Sequence, residues 1–381
     1  MTAGDELYGL NLFGEVVQPK YSGPVAERFV VPPFSVLDTR QGFWIERRRA
    51  WIAVGIESEL GRDPNAVPNG GNRPPEQDGV YMRHGQTAQD ARGGRYGGRP
   101  RDPNPRDYDF YRHKEGKRSG DNFAFRGGLG ERMEEKYGGS RGNVSGVSIF
   151  DPVICELVYR WFAPAGGQVI DPFAGGSVRG VVAGLLGLGY WGCDLSAAQV
   201  EANRRQWEHI CPDADVRWAV GDAVSLLDPG PDEMPDVPDA DLVFSCPPYG
   251  DLEVYSEDPR DLSTMDYPKF CDFYRRIIRR ACAYLRPNRF ACFVVADYRD
   301  RSTGAYRGFV GETVDAFREM GLSLYNEAIL VNSIGSLPVR ITQQFERGRK
   351  LGKCHQNVLV FVKGDWRAAT AAVKGAGHEE S

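Results

Sequence analysis

The stretch from Val169 to Asp194, VIDPFAGGSVRGVVAGLLGLGYWGCD, constrains the fold more than any other part of the chain. Val169-Ile170 is a short apolar run closed by Asp171, the pattern of a buried strand. Gly175 and Gly176 then permit a tight turn in which backbone amides approach a ligand with no Cβ in the way. Small and aliphatic residues from Val178 to Leu188 suit a helix packed on a sheet, and Tyr190 to Cys193 reads as the next strand, ending at Asp194. A carboxylate about twenty residues past a glycine turn is where a doubly wound sheet grips ribose hydroxyls. A dinucleotide phosphate loop fits less well, because Gly-x-Gly-x-x-Gly is absent and Asp171 would repel a pyrophosphate. A purely structural turn is the competing reading.

A second stretch, Asp241 to Tyr249, DLVFSCPPY, is an apolar strand that stops at two prolines and an aromatic. Proline cannot continue a ladder, so the chain turns out at the carboxyl end of the strand, where doubly wound sheets place their sites. A Pro-Pro-Tyr turn without chemistry is the alternative.

With 381 residues the chain can bury a sizeable core. Its formal net charge of −5 advertises no global basic field, so any nucleic-acid surface must be local. Neither a long apolar run nor an apolar segment behind a basic start is visible, which argues against a membrane span or a secretory signal. The 8 cysteines are scattered with no Cys-x-x-Cys pair, a pattern of reduced thiols in a cytosol, with no structural metal expected.

These shifts in composition divide the chain. Residues 1–61 read as a loose arm followed by a small helical module, with an extended segment at Phe29-Val30-Val31 and a helix from Gly42 to Leu60. The cluster Arg47-Arg48-Arg49 there reads as a solvated face, with a DNA-contacting helix as the other choice. Residues 62–146 form an insert rich in Gly, Pro and Arg; Arg62 to Gly142 carries 16 Arg and Lys against 12 Asp and Glu, with tyrosines and phenylalanines interleaved. So few aliphatics cannot offset chain entropy, which predicts a largely irregular segment, either a plain linker or one that orders on nucleic acid. Residues 147–366 read as one α/β domain that contains both motifs, and 367–381 read as a flexible tail.

Within 147–366, strands are predicted near 169, 190, 216, 241, 290, 324 and 357, an α/β sheet whose last two strands form an antiparallel hairpin. Asp151 to Phe162 reads as an amphipathic helix, Ala197 to His209 and Tyr267 to Leu285 as further helices, and Gly230 to Asp239 as an acidic connection. Arg275, Arg276, Arg279 and Arg280 read as a solvated face. Between the last two strands lies SIGSLPVRITQQFERGRKLGKCH, read as a basic hairpin loop containing Arg340, Arg347, Arg349, Lys350 and Lys353. His355 reads as a strand-end hydrogen bonder.

DPFAGGS resembles the S-adenosylmethionine-binding motif of the amino-directed DNA methyltransferases, DPF-x-G-x-G, with Ser177 where the last glycine stands. Cys246-Pro247-Pro248-Tyr249 resembles their catalytic (Asp/Asn/Ser)-Pro-Pro-(Tyr/Phe/Trp) motif, with Cys246 in place of the usual first residue. Fainter likenesses, in PPFSVLD and the Arg and Trp residues after it, resemble phage-type DNA modification proteins. The family resemblance implies a seven-stranded Rossmann-like methyltransferase sheet with an N-terminal extension, S-adenosyl-L-methionine as cofactor and DNA as partner. It further implies cofactor contacts at Asp171, Phe173, Gly175, Gly176, Ser177 and Asp194, and an adenine contact at Asp222. The residues implied to act on the base are Cys246, Pro247, Pro248 and Tyr249, with the basic loop facing nucleic acid.

In this family the first side chain and the following proline carbonyl hold the exocyclic amine, while the aromatic stacks on a flipped base. A neutral thiol is a poor acceptor. Serine is commonest at that position among cytosine-N4 enzymes, and cysteine is its nearest isostere, which leans the reading toward cytosine N4 over adenine N6. Three other readings stay open: a C5-cytosine methylase with Cys246 as nucleophile, an RNA or small-molecule methyltransferase, and a non-catalytic cofactor-holding DNA-binding protein.

Overall fold

The computed structural model describes residues 29–57, 150–228, 237–250, 256, 258–332 and 337–374, with the side chains of 338–340 left aside. The predicted arm at 1–23, the insert at 62–146, most of the acidic connection and the end of the tail lie outside the described residues.

Eight strands form one sheet in the order β1-β7-β8-β6-β5-β2-β3-β4. They are β1 (Val36–Asp38), β2 (Gln168–Asp171), β3 (Gly189–Asp194), β4 (Val216–Val220), β5 (Ala240–Ser245), β6 (Leu285–Val295), β7 (Leu322–Val331) and β8 (His355–Lys363). All neighbours pair in parallel except β8, which runs antiparallel between β6 and β7. Each of the seven predicted strands is present, and the last two make the expected antiparallel pair. The eighth, β1, follows Pro32-Pro33 and extends the β7 edge, with Val36 opposite Ile329. It therefore lies beyond Phe29-Val30-Val31, where the extended segment was expected. The two prolines end that earlier run, and the next residues free to donate are the ones that pair.

Helices cover both faces. One layer holds α1 (Gly42–Ala53), α2 (Pro152–Phe162), α3 (Val178–Leu185), α4 (Ala197–Ile210) and α9 (Trp366–Lys374). The other holds α5 (Ala223–Leu226), α6 (Tyr267–Tyr284) and α7 (Phe309–Glu319), while α8 (Leu337–Gly348) sits between β7 and β8 in the chain. Neighbouring residues of β2 face opposite layers, Val169 one core and Ile170 the other, as the period of two requires. None of the described helices is long and apolar enough to cross a membrane.

Three expectations change. The helix after Gly42 ends at Ala53, and two of its three clustered arginines, Arg47 and Arg48, turn inward, while Arg49 stays exposed. Glu156 of α2 is fully buried and accepts from Arg47, from Arg160 at 2.9 Å and from the Trp51 indole at 2.8 Å. Burial pushes its carboxyl up, but Arg47, Arg160 and Trp51 outweigh that and hold it below the usual range. Asp151, which caps α2 through Val153 N at 3.0 Å, also takes Arg48 and the Trp44 indole. An unpaired buried carboxylate is costly, so α1 is part of the α2 core and not a separate solvated module. Likewise Arg275 joins α6 to α7 through Glu312 and Glu319. Finally, residues after Trp366 form α9, whose buried Ala369 packs on the first core, where a frayed tail was expected.

Candidate active site

The strand order reverses beside β2: the chain runs outward through β3 and β4, then returns to β5 on the other side. Such a switch point opens a crevice at the carboxyl ends of the strands. Both motifs emerge there, because β2 and β5 are direct neighbours, with Val169 opposite Leu242.

The turn after β2 is held from below. Asp171 is fully buried and its carboxylate accepts from Arg179 Nε at 2.5 Å, Tyr190 Oη at 2.7 Å, Phe173 N at 3.2 Å and Ser245 Oγ. Arg179, on α3, also donates to the carbonyls of Phe173 and Ala174, at 2.5 and 2.8 Å. Burial alone would push this guanidinium down, yet the charge of Asp171 keeps it well above its ordinary value. The carboxylate thus lies beneath the turn, not at the surface where a cofactor contact was expected. Ser177 is buried too, its hydroxyl donating to Gln206 Oε1 at 2.8 Å, and Phe173 leans on Tyr274 and Phe293 with ring centres 6.0 and 6.3 Å away.

What faces outward is Gly175, Gly176 and Asp194. Gly175 has φ +52°, and a Cβ there would meet nothing within 4 Å, so the space above the turn is open. Its amide donates to Asp194 Oδ2 at 3.1 Å, and Ser196 N donates to Oδ1 at 2.8 Å. Asn203 Nδ2 fixes the Gly175 carbonyl at 2.7 Å. Burial raises the Asp194 carboxyl, partly offset by those two amides. The next strand end is adjacent, since Gly221 N donates to the Asp194 carbonyl at 2.9 Å. Asp222 follows it and caps α5, accepting from Val224 N and Ser225 N at 3.1 Å each. Each oxygen of Asp194 holds one amide, and Asp222 also takes the Ser225 hydroxyl at 2.6 Å; the acceptor capacity Asp194 retains beside the unobstructed glycine turn suits the hydroxyls of an adenosyl group.

The turn after β5 is built from aromatics. Pro247 is buried, while Cys246, Pro248 and Tyr249 are half-buried. Cys246 Sγ lies 3.9 Å from Tyr249 Oη, and Gln356 Nε2 on β8 donates to the same hydroxyl at 2.6 Å. The Tyr249 ring stands 6.1 Å from Phe309 and 6.4 Å from Tyr298. Gly250 has φ +50°, and any Cβ there would strike the Tyr298 hydroxyl. Glycine is thereby required directly after the motif.

The sheet order, with β8 running antiparallel between β6 and β7 in an otherwise parallel sheet covered by helices on both faces, is a Rossmann-like α/β arrangement. No family model and no curated protein matches the sequence. Among solved structures, TrmN from Thermus thermophilus is 16% identical over 56% of this chain and 49% of its own, with TM-score 0.37. A methyltransferase from Pyrococcus furiosus is 14% identical over 61% of this chain and 93% of its own, with TM-score 0.38. A second Thermus thermophilus protein, assigned as a DNA modification methylase, is 20% identical over 38% of this chain and 51% of its own, with TM-score 0.27. The chain thus spans about half the length of the two Thermus proteins it matches.

The expected basic loop is in part a helix. Leu337, Ile341 and Phe345 recur at helical spacing, and α8 occupies Leu337–Gly348. The side chain of Arg340 lies outside the described residues. Arg347 and Arg349 are exposed, and Lys350 and Lys353 half-buried. Lys353 Nζ sits 3.2 Å from His355 Nε2, and burial pushes the ammonium below its usual value. Among the described residues no group of three or more His, Cys, Asp or Glu is arranged to hold a metal.

Sequence reasoning missed Arg179, Ser245 and Gln356. A lone arginine inside the apolar run VRGVVAG is a signal, because a charge there needs a buried partner.

Proposed function

We propose that this protein transfers a methyl group from S-adenosyl-L-methionine to the exocyclic amine of a base in DNA, cytosine N4 ahead of adenine N6. One observation carries the reading: Ser245 Oγ, the last residue of β5, bonds Asp171, the last residue of β2, so the glycine turn and the Cys-Pro-Pro-Tyr turn leave one shared anchor side by side. A donor held at the first turn and an acceptor at the second meet in the crevice between them, as a transfer reaction needs.

When bound, the cofactor supplies an electrophilic methyl group on sulfur. The chain's own residues do the rest. Asp194 accepts from ribose hydroxyls, and Asp222 faces the adenine amino group. Tyr249, braced by Gln356, stacks on a base withdrawn from the duplex. Cys246 and the Pro247 carbonyl would stand at the acceptor amine, orienting its lone pair and stabilising the positive charge that develops as the N–C bond forms at the expense of the sulfonium S–C bond, which leaves a neutral thioether, while the amine proton passes to solvent. The exposed cations of Arg347 and Arg349 lie on the same edge and suit phosphate.

Cys246 is the test position. Serine is a better acceptor than a neutral thiol, so Cys246→Ser should retain or raise methylation and Cys246→Asp should be tolerated. A C5 enzyme behaves oppositely: serine would abolish transfer, and 5-fluorocytosine DNA would trap the wild-type protein covalently. A trapped complex on a denaturing gel overturns the amine assignment. Modification-sensitive sequencing of DNA from expressing cells would name the base.

A further inference from the structure

The chain leaving β6 does not run straight to α7. It forms a short hairpin, Tyr298 to Arg307, closed by Arg307 N to Tyr298 O, Asp300 N to Ala305 O and Gly304 N to Asp300 O, each 2.9 Å. Phe309 N donates to Asp297 Oδ1 at 2.5 Å and pins its base. Its root is the candidate active site itself, because Tyr298 is buried against Tyr249 and under Gly250. The tip is therefore held in fixed relation to the acceptor motif.

Tyr306 on this hairpin is 46% exposed, so one face of its ring is open to charged neighbours. Two cations gather on it. The Arg299 guanidinium lies 3.9 Å from the ring centre, fixed further by a 3.0 Å bond to the Gly304 carbonyl, and Lys353 Nζ lies 5.8 Å away. Lys350 comes from the same strand approach and reaches Gly304, its Nζ 3.0 Å from where a Cβ would stand. The hairpin and the segment 347–353 thus run together. The segment carries four cations and no carboxylate, and the hairpin three arginines against one aspartate. That aspartate, Asp300, is spent on Ser302, Thr303 and Arg307.

We infer that the Tyr298–Arg307 hairpin and the 347–353 segment form one basic wall that receives the phosphate backbone of DNA beside the flipped base, with Tyr306 holding Arg299 and Lys353 in register. This rests on the DNA reading above. Bringing two like charges to one exposed ring is unfavourable by itself; the ring's negative face lessens the cost, and a polyanion would remove it. The hairpin, rooted at Tyr249, gives that polyanion a position relative to the chemistry.

The test uses the full chain, a labelled DNA duplex of mixed sequence, and fluorescence anisotropy across a salt series. Arg299→Gln and Lys353→Gln should each lower the slope of log K against log salt by about one. Tyr306→Ala, at an exposed position, should weaken binding by several-fold to about tenfold through both cations, while Tyr306→Phe restores it. Calorimetric cofactor affinity should stay at the wild-type value in every variant. If wild type binds the duplex but the three variants keep its affinity and slope, the wall is wrong and the DNA reading stands. If wild type binds no duplex, both fall. Tighter binding of single-stranded RNA than of the duplex, lost in the same variants, assigns the wall to RNA and overturns the DNA inference.

Discussion

Asp171 at the end of β2 takes donors from four residues and is closed to solvent, whereas Cys246 at the end of the neighbouring β5 is half-buried, its sulfur 3.9 Å from the nearest tyrosine hydroxyl. The two turns share a sheet edge and are linked through Ser245, yet they are built on opposite terms. A glycine turn that must hold a fixed shape needs its charge neutralised underneath. On the proposed reading, the second turn admits a base and so keeps polar atoms only half-buried, with rigidity supplied from the side by Tyr298, Phe309 and Gln356. Substitutions at the first should therefore show in stability, and at the second in turnover.

The largest effect belongs to the first turn. Asp171→Ala strands Arg179 inside the protein without its counter-charge and should cost about 3–5 kcal/mol in denaturant unfolding. A loss below about 1 kcal/mol, the worth of a surface pair, would break the distinction.

Asp194 sits between the two kinds. Asp194→Ala should weaken cofactor binding about tenfold or more, the ~1.5–3 kcal/mol of charge-assisted hydrogen bonds, with the fold intact by circular dichroism. Because burial holds its carboxyl above the ordinary 3.8, acid should erode cofactor affinity at a higher pH than an exposed aspartate would dictate. Calorimetry across mildly acidic buffers reads this directly, and a flat profile would take the role from Asp194.

At the second turn, Gln356→Leu removes the 2.6 Å brace on Tyr249. The expected loss is about 0.5–1.5 kcal/mol in kcat/KM, up to about tenfold, with cofactor affinity and melting temperature unchanged. A change in stability as large as for Asp171→Ala would erase the contrast between the turns.

The smallest effect concerns His355. Burial, then the neighbouring Lys353, pushes its imidazole below 6.5, so the unfolded chain binds the proton more readily than the folded one. Stability should accordingly rise with pH through a window just under 6.5 and sag below it, and His355→Gln should flatten that step. Denaturation midpoints on either side of the window check the sign.

The strands were legible because each carries its own short apolar run: VI at 169, LVF at 242 and ACFVV at 291 announce burial without reference to anything else. The motif turns were legible for the same reason, as glycines and prolines punctuate locally. Pairings across the fold were not. Arg47-Arg48-Arg49 reads as a charged face until Glu156 and Asp151, more than a hundred residues on, are brought against it. Asp171 looked like a ligand contact because nothing in its neighbourhood of sequence discloses Tyr190 and Ser245. In the stretch read as a hairpin loop, the cations from Arg340 to Lys353 outweighed the helical spacing of Leu337, Ile341 and Phe345.

Val36–Asp38 leaves the ribosome long before Ile329–Val331, the segment it pairs with. During synthesis that early strand has no place to go. The growing sheet must first add β7, whose other side is taken by β8, and only then can the outer edge be closed. Closing so long a loop costs little more free energy than closing a medium one, so the delay is one of time and not of final stability. For that interval β1 keeps its own backbone groups unpaired, and a slowed or truncated translation product lacking β7 would be open to strand exchange at Val36–Asp38.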